Sequence, residues 1–201
     1  MKHIYFVRHG ETLANRKAIH QSPDESLTAK GKKQIQHAAL KLKGKQIDTL
    51  ICSPYTRARE SAEIISIELQ LPLNIENSVT EFRRPNYLYN KGHFSIPSLW
   101  YIIAMFLHRE DPKWDDDGAE NMFAIRNRVA DCRHFLEHIE GKNIAVVSHN
   151  IFMNIFLDLV CTEKRLTYIE FLRILLRVNG TKNGAMIHLF FDETVPKRSE
   201  E

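Results

Sequence analysis

Cysteine is scarce in this chain and is not arranged in any paired motif. The three cysteines, Cys52, Cys132 and Cys161, lie far apart in 201 residues, and none belongs to a CxxC pair. Wide spacing of this kind is typical of proteins from a reducing compartment, so we expect reduced thiols and a cytoplasmic location. The N-terminus has one lysine and a short apolar segment, which does not resemble a secretory signal.

Long apolar runs and blocks of one charge sign are lacking as well. The most apolar stretch, residues 96–108, is too short to cross a bilayer and ends in charge, so we expect no membrane span. The formal net charge is only +3 and no long basic run is present, which argues against nucleic-acid binding. Hydrophobic residues make up 43% and charged residues 26%, as in a soluble globular protein. We predict one domain over residues 1–193 and a tail over 194–201.

Strand-like and helix-like segments alternate along the chain. Continuously apolar runs at residues 3–9, 48–53 and 143–149 predict strands of a sheet that is buried on both faces. Strands joined through helices imply a mostly parallel sheet, so we predict an α/β fold, a three-layer α/β/α sandwich. A short strand over 72–76 and a closing hairpin over 171–193, around Asn179-Gly180 and Asn183-Gly184, complete this prediction. The predicted helices cover residues 27–44, 56–69, 120–141 and 151–160.

Residues 82–118 interrupt this alternation. Three prolines and Gly92 punctuate the segment around one apolar helix. About 35 residues is more than a connection between regular elements needs, so we predict a small inserted cap or lid. Its aromatic residues Trp100, Tyr101 and Phe106 are expected to pack in the core of the cap rather than to contact a ligand.

Charged and imidazole side chains follow several of the predicted strands. Arg8 and His9 end the first strand, Arg57 follows the second, Glu81 follows the short third strand, and His149 ends a later one. In such sheets, ligands bind outside the carboxyl ends of the strands. Two arginines and two histidines would attract an oxyanion and repel a divalent cation. We therefore predict a phosphate site rather than a metal site, with a neutral imidazole as nucleophile or proton carrier.

The motifs that carry these residues resemble those of the histidine phosphatase superfamily, the phosphoglycerate mutase-like proteins. VRHGET (7–12) looks like the family signature, and LTAKGKKQ (27–34) is similar to its LTxxGxxQA segment. SPYTRARESA (53–62) is similar to its SPxxRAxxTA segment, GAENMFAIRNRV (118–129) to its GES stretch and VVSHN (146–150) to its second histidine motif. These elements occur in the family's order over nearly the whole chain. The resemblance therefore implies a phosphoglycerate mutase-like fold.

The resemblance also implies a role for each candidate residue. His9 would be the nucleophile that takes the phosphoryl group, while Arg8, Arg57 and His149 would bind the phosphate oxygens. Glu81 would protonate the leaving oxygen and then activate water. Neither a metal nor an organic cofactor is implied, and the partner would be a small phosphorylated substrate. The residues expected to line the pocket beside these groups are Thr12, Asn15 and Asn150.

Three positions depart from the family pattern. Asn150 replaces the glycine that usually follows the second histidine, Asn121 replaces the serine of GES, and Ser61 stands where threonine is usual. We interpret Asn150 as the N-cap of the helix that follows it, since asparagine is a favoured capping residue. It could also narrow the pocket or contact the substrate.

Several candidates have an ordinary structural explanation as well. Arg57 could pair with Glu60 or Glu120, and Glu120 is an alternative for the catalytic carboxylate. Arg83 and Arg84 are either solvated loop charges or contacts to an acidic part of the substrate.

The function predicted from the residues and the resemblance is metal-independent hydrolysis of a phosphate monoester through a phosphohistidine intermediate. Hydrolysis is favoured over mutase activity because the chain lacks the longer insertions that enclose a bisphosphate in the family's mutases. Two alternatives remain open, phosphoglycerate mutase-type phosphotransfer and a non-catalytic phospho-ligand-binding domain on the same scaffold. The oligomeric state is not predicted.

Overall fold

The sheet of the protein has six strands among the residues described by its computed structural model, which are 1–162, 166–176, 180–191 and 197–198. Their order is β3-β2-β4-β1-β5-β6. The first four strands in this order pair in parallel, whereas β5 pairs antiparallel with β1 and β6 pairs antiparallel with β5. The prediction of a mostly parallel sheet is confirmed. The strands are β1 Lys2–Arg8, β2 Thr49–Cys52, β3 Leu73–Ile75, β4 Asn143–Ser148, β5 Met186–Phe191 and β6 Lys197–Arg198.

The helices cover both faces of this sheet. The predicted helix over 56–69 is present with those bounds, and the other predicted helices agree within a few residues. A short helix, α1, was not predicted. The helices are α1 Leu13–Lys17, α2 Ala29–Lys43, α3 Thr56–Leu69, α4 Ile96–Leu107, α5 Met122–His138, α6 Asn150–Thr162 and α7 Tyr168–Leu176.

The side chains of the central strand β1 contribute to two hydrophobic clusters, one on each face of the sheet. Ile4 and Phe6 face one side, where they join a cluster that includes residues of α5, α6 and α7. Tyr5 and Val7 face the other side and join a cluster with residues of α2 and α3. Because side chains alternate along a strand, a continuously apolar run buries both faces of the sheet. The three-layer α/β/α arrangement follows, and it leaves the carboxyl ends of β1, β2 and β4 at one edge.

The hairpin predicted over 171–193 is wrong in its first half. Residues 168–176 form α7, of which Phe171 is fully buried, and only β5 in the second half is a strand. A short apolar run fits either a strand or a buried helix, so periodicity alone could not decide. Asn179, placed in the predicted turn, lies outside the described residues, as does the predicted tail apart from β6.

The segment 82–118 contains a short 3-10 helix, Asn86–Leu88, followed by α4. The aromatic residues of α4 divide between core and surface. Tyr101 is buried as predicted, but Trp100 is 66% exposed and Phe106 is 41% exposed, so the packing predicted for Trp100 is wrong. None of the described helices is both long and apolar enough to span a membrane.

Candidate active site

His9 lies immediately after β1 and is almost completely buried, at 1% exposure. Its Nδ1 is 2.7 Å from the carbonyl oxygen of Gly10. A carbonyl oxygen only accepts, so Nδ1 carries the hydrogen and Nε2 keeps its lone pair. Burial, and then the charges of Arg57 and Arg8, hold the pKa of His9 well below its ordinary value. His9 is therefore a neutral imidazole with an available nitrogen at neutral pH.

The loop that carries His9 is held against the first turn of α2 by two glycines. A Cβ on Gly10 would overlap the carbonyl oxygen of Gly31, and a Cβ on Gly31 would overlap that of Glu11. The Gln34 side chain accepts a hydrogen bond from the Glu11 amide at 2.9 Å, and Ser61 accepts one from the Gly10 amide at 3.2 Å. Gly31 and Gln34 of the LTAKGKKQ segment therefore fix the conformation of the loop that carries His9.

His149 follows β4 and faces His9, with 5.2 Å between the ring centroids. Its Nε2 is 2.7 Å from the hydroxyl oxygen of Ser53, at the end of β2. Its Nδ1 is buried and has no hydrogen-bond partner among the described residues. Burial, followed by the positive charge of Arg57, holds the pKa of His149 well below its ordinary value.

Arg57 lies in the first turn of α3 and is 2% exposed. Its Nη1 donates to the carbonyl oxygen of Ser22 at 2.8 Å, whereas its Nε is buried without a partner among the described residues. Burial lowers the pKa of Arg57 to about 10, so the group stays charged at neutral pH. Neither Glu60 nor Glu120 forms a salt bridge with it in the described part of the chain, so the structural explanation considered for Arg57 is wrong.

Arg8 ends β1 beside His9, and its guanidinium donates to the carbonyl oxygen of Thr181. The Nε atom is buried and has no hydrogen-bond partner within the described ranges. Burial lowers the pKa of Arg8, and the negative charge of Glu81 opposes this shift. Both arginines therefore keep donor capacity that no residue in the described ranges uses, which is the arrangement an oxyanion requires.

Glu81 occupies the N-terminus of α6. Its carboxylate accepts hydrogen bonds from the backbone amides of Phe82 and Phe152, both at 2.9 Å, and from that of Ile151 at 3.4 Å. The first amides of a helix lack intrahelical partners, and a carboxylate satisfies them well. Glu81 thereby takes the capping role that was predicted for Asn150, so that prediction is wrong.

Asn150 is instead the first residue of α6. Its Oδ1 accepts from the side-chain amide of Asn154 at 3.3 Å, and a Cβ on Gly180 would overlap Oδ1. Asn150 also lines the cavity described below.

Glu120 is fully engaged with arginine. Its two carboxylate oxygens accept from Nε and Nη2 of Arg128 at 2.7 Å each, and Oε2 also accepts from the Arg83 amide at 2.9 Å. The remaining nitrogen of Arg128 donates to the carbonyl oxygens of Ser78 and Thr80. This pair fixes the segment that leads to Glu81. Glu120 is 1% exposed and both of its carboxylate oxygens are paired, which argues against a role as the catalytic carboxylate. Arg128 lies within the quoted 118–129 segment, but its pairing with Glu120 joins positions that only folding brings together and was not predicted from the sequence.

Thr12 and Asn15 cap α1 reciprocally. Each side chain accepts from the backbone amide of the other at 3.2 Å. Thr12 has no exposed surface, and its hydroxyl donates to Gln21. It supports the loop and is not among the residues that line the cavities described below, so the prediction that it lines the pocket is wrong. Asn15 lines the cavity and accepts from the Asn183 side chain, which also donates to the carbonyl oxygen of His9.

A cavity of about 250 Å³ lies at this edge of the sheet, and Arg8, Asn15, Glu81 and Asn150 are among the residues that line it. A smaller cavity of about 40 Å³ is lined by Arg57 and shares Glu81 with the first. The two guanidinium groups thus lie on adjoining cavities. Segment 82–118 contributes six lining residues to the larger one, namely Arg84, His93, Phe94, Ser98, Tyr101 and Ile102.

The group of side chains that could together bind a metal ion lies away from the candidate active site. Within the described ranges, three such side chains come close together only on the exposed face of α5, where they are His134, Glu137 and His138. None of the candidate site residues belongs to that group.

The fold and the site together define a known class of protein. The family model of the histidine phosphatase superfamily (branch 1) matches residues 4–173, and the chain belongs to this family. It is 33% identical over 79 residues to the adenosylcobalamin/alpha-ribazole phosphatase of Escherichia coli, an alignment that covers 39% of each chain. It is 41% identical over 68 residues to the 2,3-bisphosphoglycerate-dependent phosphoglycerate mutase of Thermoplasma acidophilum, covering 33% of this chain and 34% of that protein.

The fold is similar to that of a solved enzyme as well. A phosphoserine phosphatase variant from Entamoeba histolytica, determined in complex with phosphoserine, superposes with a TM-score of 0.75 at 21% identity. The superposition covers 100% of this chain and 96% of that chain. The likeness therefore extends over the whole fold, whereas the curated relatives match over about two fifths of their length or less.

Proposed function

We propose that this protein hydrolyses small phosphate monoesters through a phosphohistidine intermediate formed on His9. The observation that carries the proposal is the neutral, buried His9, whose Nε2 keeps its lone pair because Nδ1 donates to the Gly10 carbonyl oxygen. A neutral imidazole is a nucleophile, whereas an imidazolium is not. The phosphatase name of the Escherichia coli relative supports the same reaction class.

In the first step, Nε2 of His9 forms a bond to phosphorus while the bond from phosphorus to the ester oxygen breaks. The guanidinium groups of Arg8 and Arg57, with the unpartnered Nδ1 of His149, would hold the three remaining oxygens. Fixed donors that match the charge on the transferring group lower the barrier without reorganisation. Protonated Glu81 would give its proton to the leaving oxygen, for which its place on the cavity wall is suitable.

In the second step, water attacks the phosphohistidine and the bond between Nε2 and phosphorus breaks. Glu81, now a carboxylate, would take the proton from water, and inorganic phosphate would leave with neutral His9 restored. Arg8 and Arg57 would supply the positive charge that stabilises the transferring phosphoryl group in both steps. Asn15 and Asn150 would line the pocket around the ester, and Thr12 would support the loop after β1. We also propose a cytoplasmic location, which agrees with the buried thiols of Cys52 and Cys132.

Replacing His9 tests this proposal. We expect His9→Ala to reduce turnover of p-nitrophenyl phosphate by at least about 10³-fold, since it removes the nucleophile. The matched control is His37→Ala, because His37 is exposed on α2 and should leave turnover unchanged. Circular dichroism should show the same fold in both variants. A folded His9→Ala protein that turns over at close to the wild-type rate contradicts the proposal.

Phosphoglycerate mutase activity is the second candidate, because the Thermoplasma acidophilum relative carries that name. A mutase would return the phosphoryl group to the substrate instead of to water. Incubation with 3-phosphoglycerate separates the two reactions, and we expect inorganic phosphate to accumulate. Formation of the 2-isomer without inorganic phosphate would favour the mutase. Failure to turn over any ester, with retained binding of phosphorylated ligands, would favour a binding domain.

A further inference from the structure

The outward face of α4 consists of apolar side chains. Of the fifteen large apolar side chains that are exposed among the described residues, seven lie within residues 94–107. Single apolar residues are normal at a surface, whereas a contiguous patch marks an interaction site. Six of the seven share α4 and are spaced by three or four residues, which places them in one stripe along the helix. This stripe consists of Ile96, Leu99, Trp100, Ile103, Phe106 and Leu107.

The opposite face of α4 is already used inside the protein. Ser98, Tyr101 and Met105 are buried there. The hydroxyl oxygen of Ser98 is 2.9 Å from Nε2 of His20, which lies on the wall of the larger cavity. The Tyr101 hydroxyl donates to the carbonyl oxygen of Glu120 at 3.2 Å. Because these contacts fix the orientation of the helix, the stripe can be covered only by a contact on its outer side.

The stripe is large enough for a stable interface. Together with Phe94, which precedes α4 and is 77% exposed, it offers about 850 Å² of surface if each large side chain has about 200 Å². A standard protein–protein interface buries about 800 Å² on each partner. Trp100 lies near the middle of the stripe, where the residues that contribute most to binding are usually found.

The chemistry of the stripe allows it to pair with a second copy of itself. No charged residue lies within residues 96–107, so two copies that face each other across a twofold axis bring no like charges together. Apolar side chains at intervals of three, four and seven residues are those through which two helices interdigitate. In an antiparallel pair each helix N-terminus lies beside the C-terminus of the other helix, so the helix dipoles attract each other.

A lipid surface is a poorer partner for the same stripe. Helices that lie on a bilayer carry lysine and arginine, which attract anionic lipids. Residues 96–107 contain neither, and residues 109–117 contain five carboxylates and two cations. An anionic membrane would therefore repel the segment that follows α4.

We propose that α4 is the interface of a homodimer, in which the stripes of two copies of this chain pack antiparallel. Trp100 of each copy would lie close to the twofold axis. The interface would lie on the outer side of the helix whose residues Ser98, Tyr101 and Ile102 line the larger cavity. This inference goes beyond the proposed reaction and does not depend on it.

Sedimentation velocity of the full chain tests the interface. We expect the wild type to be a dimer at about 10 µM, because interfaces of this size reach micromolar affinity or better. Trp100→Glu would bury an unpaired carboxylate from each copy, so it should raise the dissociation constant at least about 100-fold. The matched control is Ile67→Glu, because Ile67 is 80% exposed on α3, and this variant should remain a dimer. Circular dichroism should show the same fold in both variants.

The fluorescence of Trp100 gives a second measurement of the same contact. The chain has two tryptophans, so Trp114→Phe leaves Trp100 as the single one. Its emission should shift to shorter wavelength as the protein concentration rises through the range of dimer formation, because the indole ring leaves water. An unchanged spectrum while the dimer forms would place Trp100 outside the interface and overturn the proposal.

Three other results would also overturn it. The first is a wild-type chain that stays monomeric up to about 100 µM. The second is a dimer that Trp100→Glu leaves intact, because the interface would then lie elsewhere. The third is a monomer that binds vesicles of phosphatidylcholine and phosphatidylserine through Trp100, which would assign the stripe to a membrane. None of these measurements uses phosphatase activity, so a failure of the proposed function would be recognised separately.

Discussion

Each buried histidine of the site is held as a neutral imidazole by its own surroundings. For His9 and His149 the main cause is burial, and the charge of Arg57 adds to it. For His20 burial is again the main cause and the charge of Arg84 adds to it. A neutral His9 serves the proposed nucleophilic attack directly, so the cations that we propose bind phosphate would also keep the proposed nucleophile unprotonated.

The stability of the fold should depend on pH through these residues. An unfolded histidine has a pKa of about 6.5, whereas that of His20 in the fold is about 3. Between these values the unfolded chain binds a proton that the folded chain does not, so the free energy of unfolding falls as the pH falls. In urea unfolding at pH 6.5, 5.5 and 5.0, His20→Gln should make this slope shallower by up to about 1.4 kcal/mol per pH unit.

The exposed His37 provides the control for this measurement. His37→Gln should leave the slope as in the wild type. An identical slope in wild type and His20→Gln would show that His20 takes up a proton equally in both states, contrary to the prediction.

At the scale of elements, the loop after β1 packs directly against helix α2. Gly10 and Gly31 bring their backbones so close that neither position has room for a Cβ. Since Nδ1 of His9 bonds to the Gly10 carbonyl oxygen, this contact also fixes the orientation of the imidazole.

Gly31→Ala tests this contact through the sign of the change in the free energy of unfolding. In an unobstructed helix the change would stabilise by about 0.8–1 kcal/mol, because alanine is the better helix former. Here the new methyl group meets the backbone of Glu11, so we expect the free energy of unfolding to fall by about 1–3 kcal/mol. Gly92→Ala is the control, because nothing lies within 4 Å of its Cβ position. Stabilisation by Gly31→Ala in urea unfolding would contradict the close approach.

The strands and helices could be predicted from the sequence more accurately than the contacts between their side chains. The buried strands and long helices were predictable because apolar runs and caps are local signals. The cap of α6 was not, because Glu81 reaches it from another part of the chain and Asn150 is a plausible local substitute. The Arg128–Glu120 pair and the different surroundings of Arg83 and Arg84 likewise depend on folding.

At the scale of the whole molecule, the parallel sheet collects groups that are distant in sequence. Arg8 ends β1 and His9 follows it, whereas Arg57 and His149 come after β2 and β4. These three strands are neighbours in the sheet. Their convergence at one edge could be predicted from the alternation of strands and helices. The division of that edge into two adjoining cavities could not, because it depends on segment 82–118, whose sequence has no regular pattern.

The most direct test of this account is to trap the phosphoryl group on the protein. Mixing the enzyme with a ³²P-labelled phosphate monoester and quenching it within milliseconds in alkali should leave label on the peptide that contains His9. That label should survive alkali, be released by acid, and be missing from His9→Ala, as expected for phosphohistidine. Label on a different residue, or full turnover without any label on His9, would contradict the account.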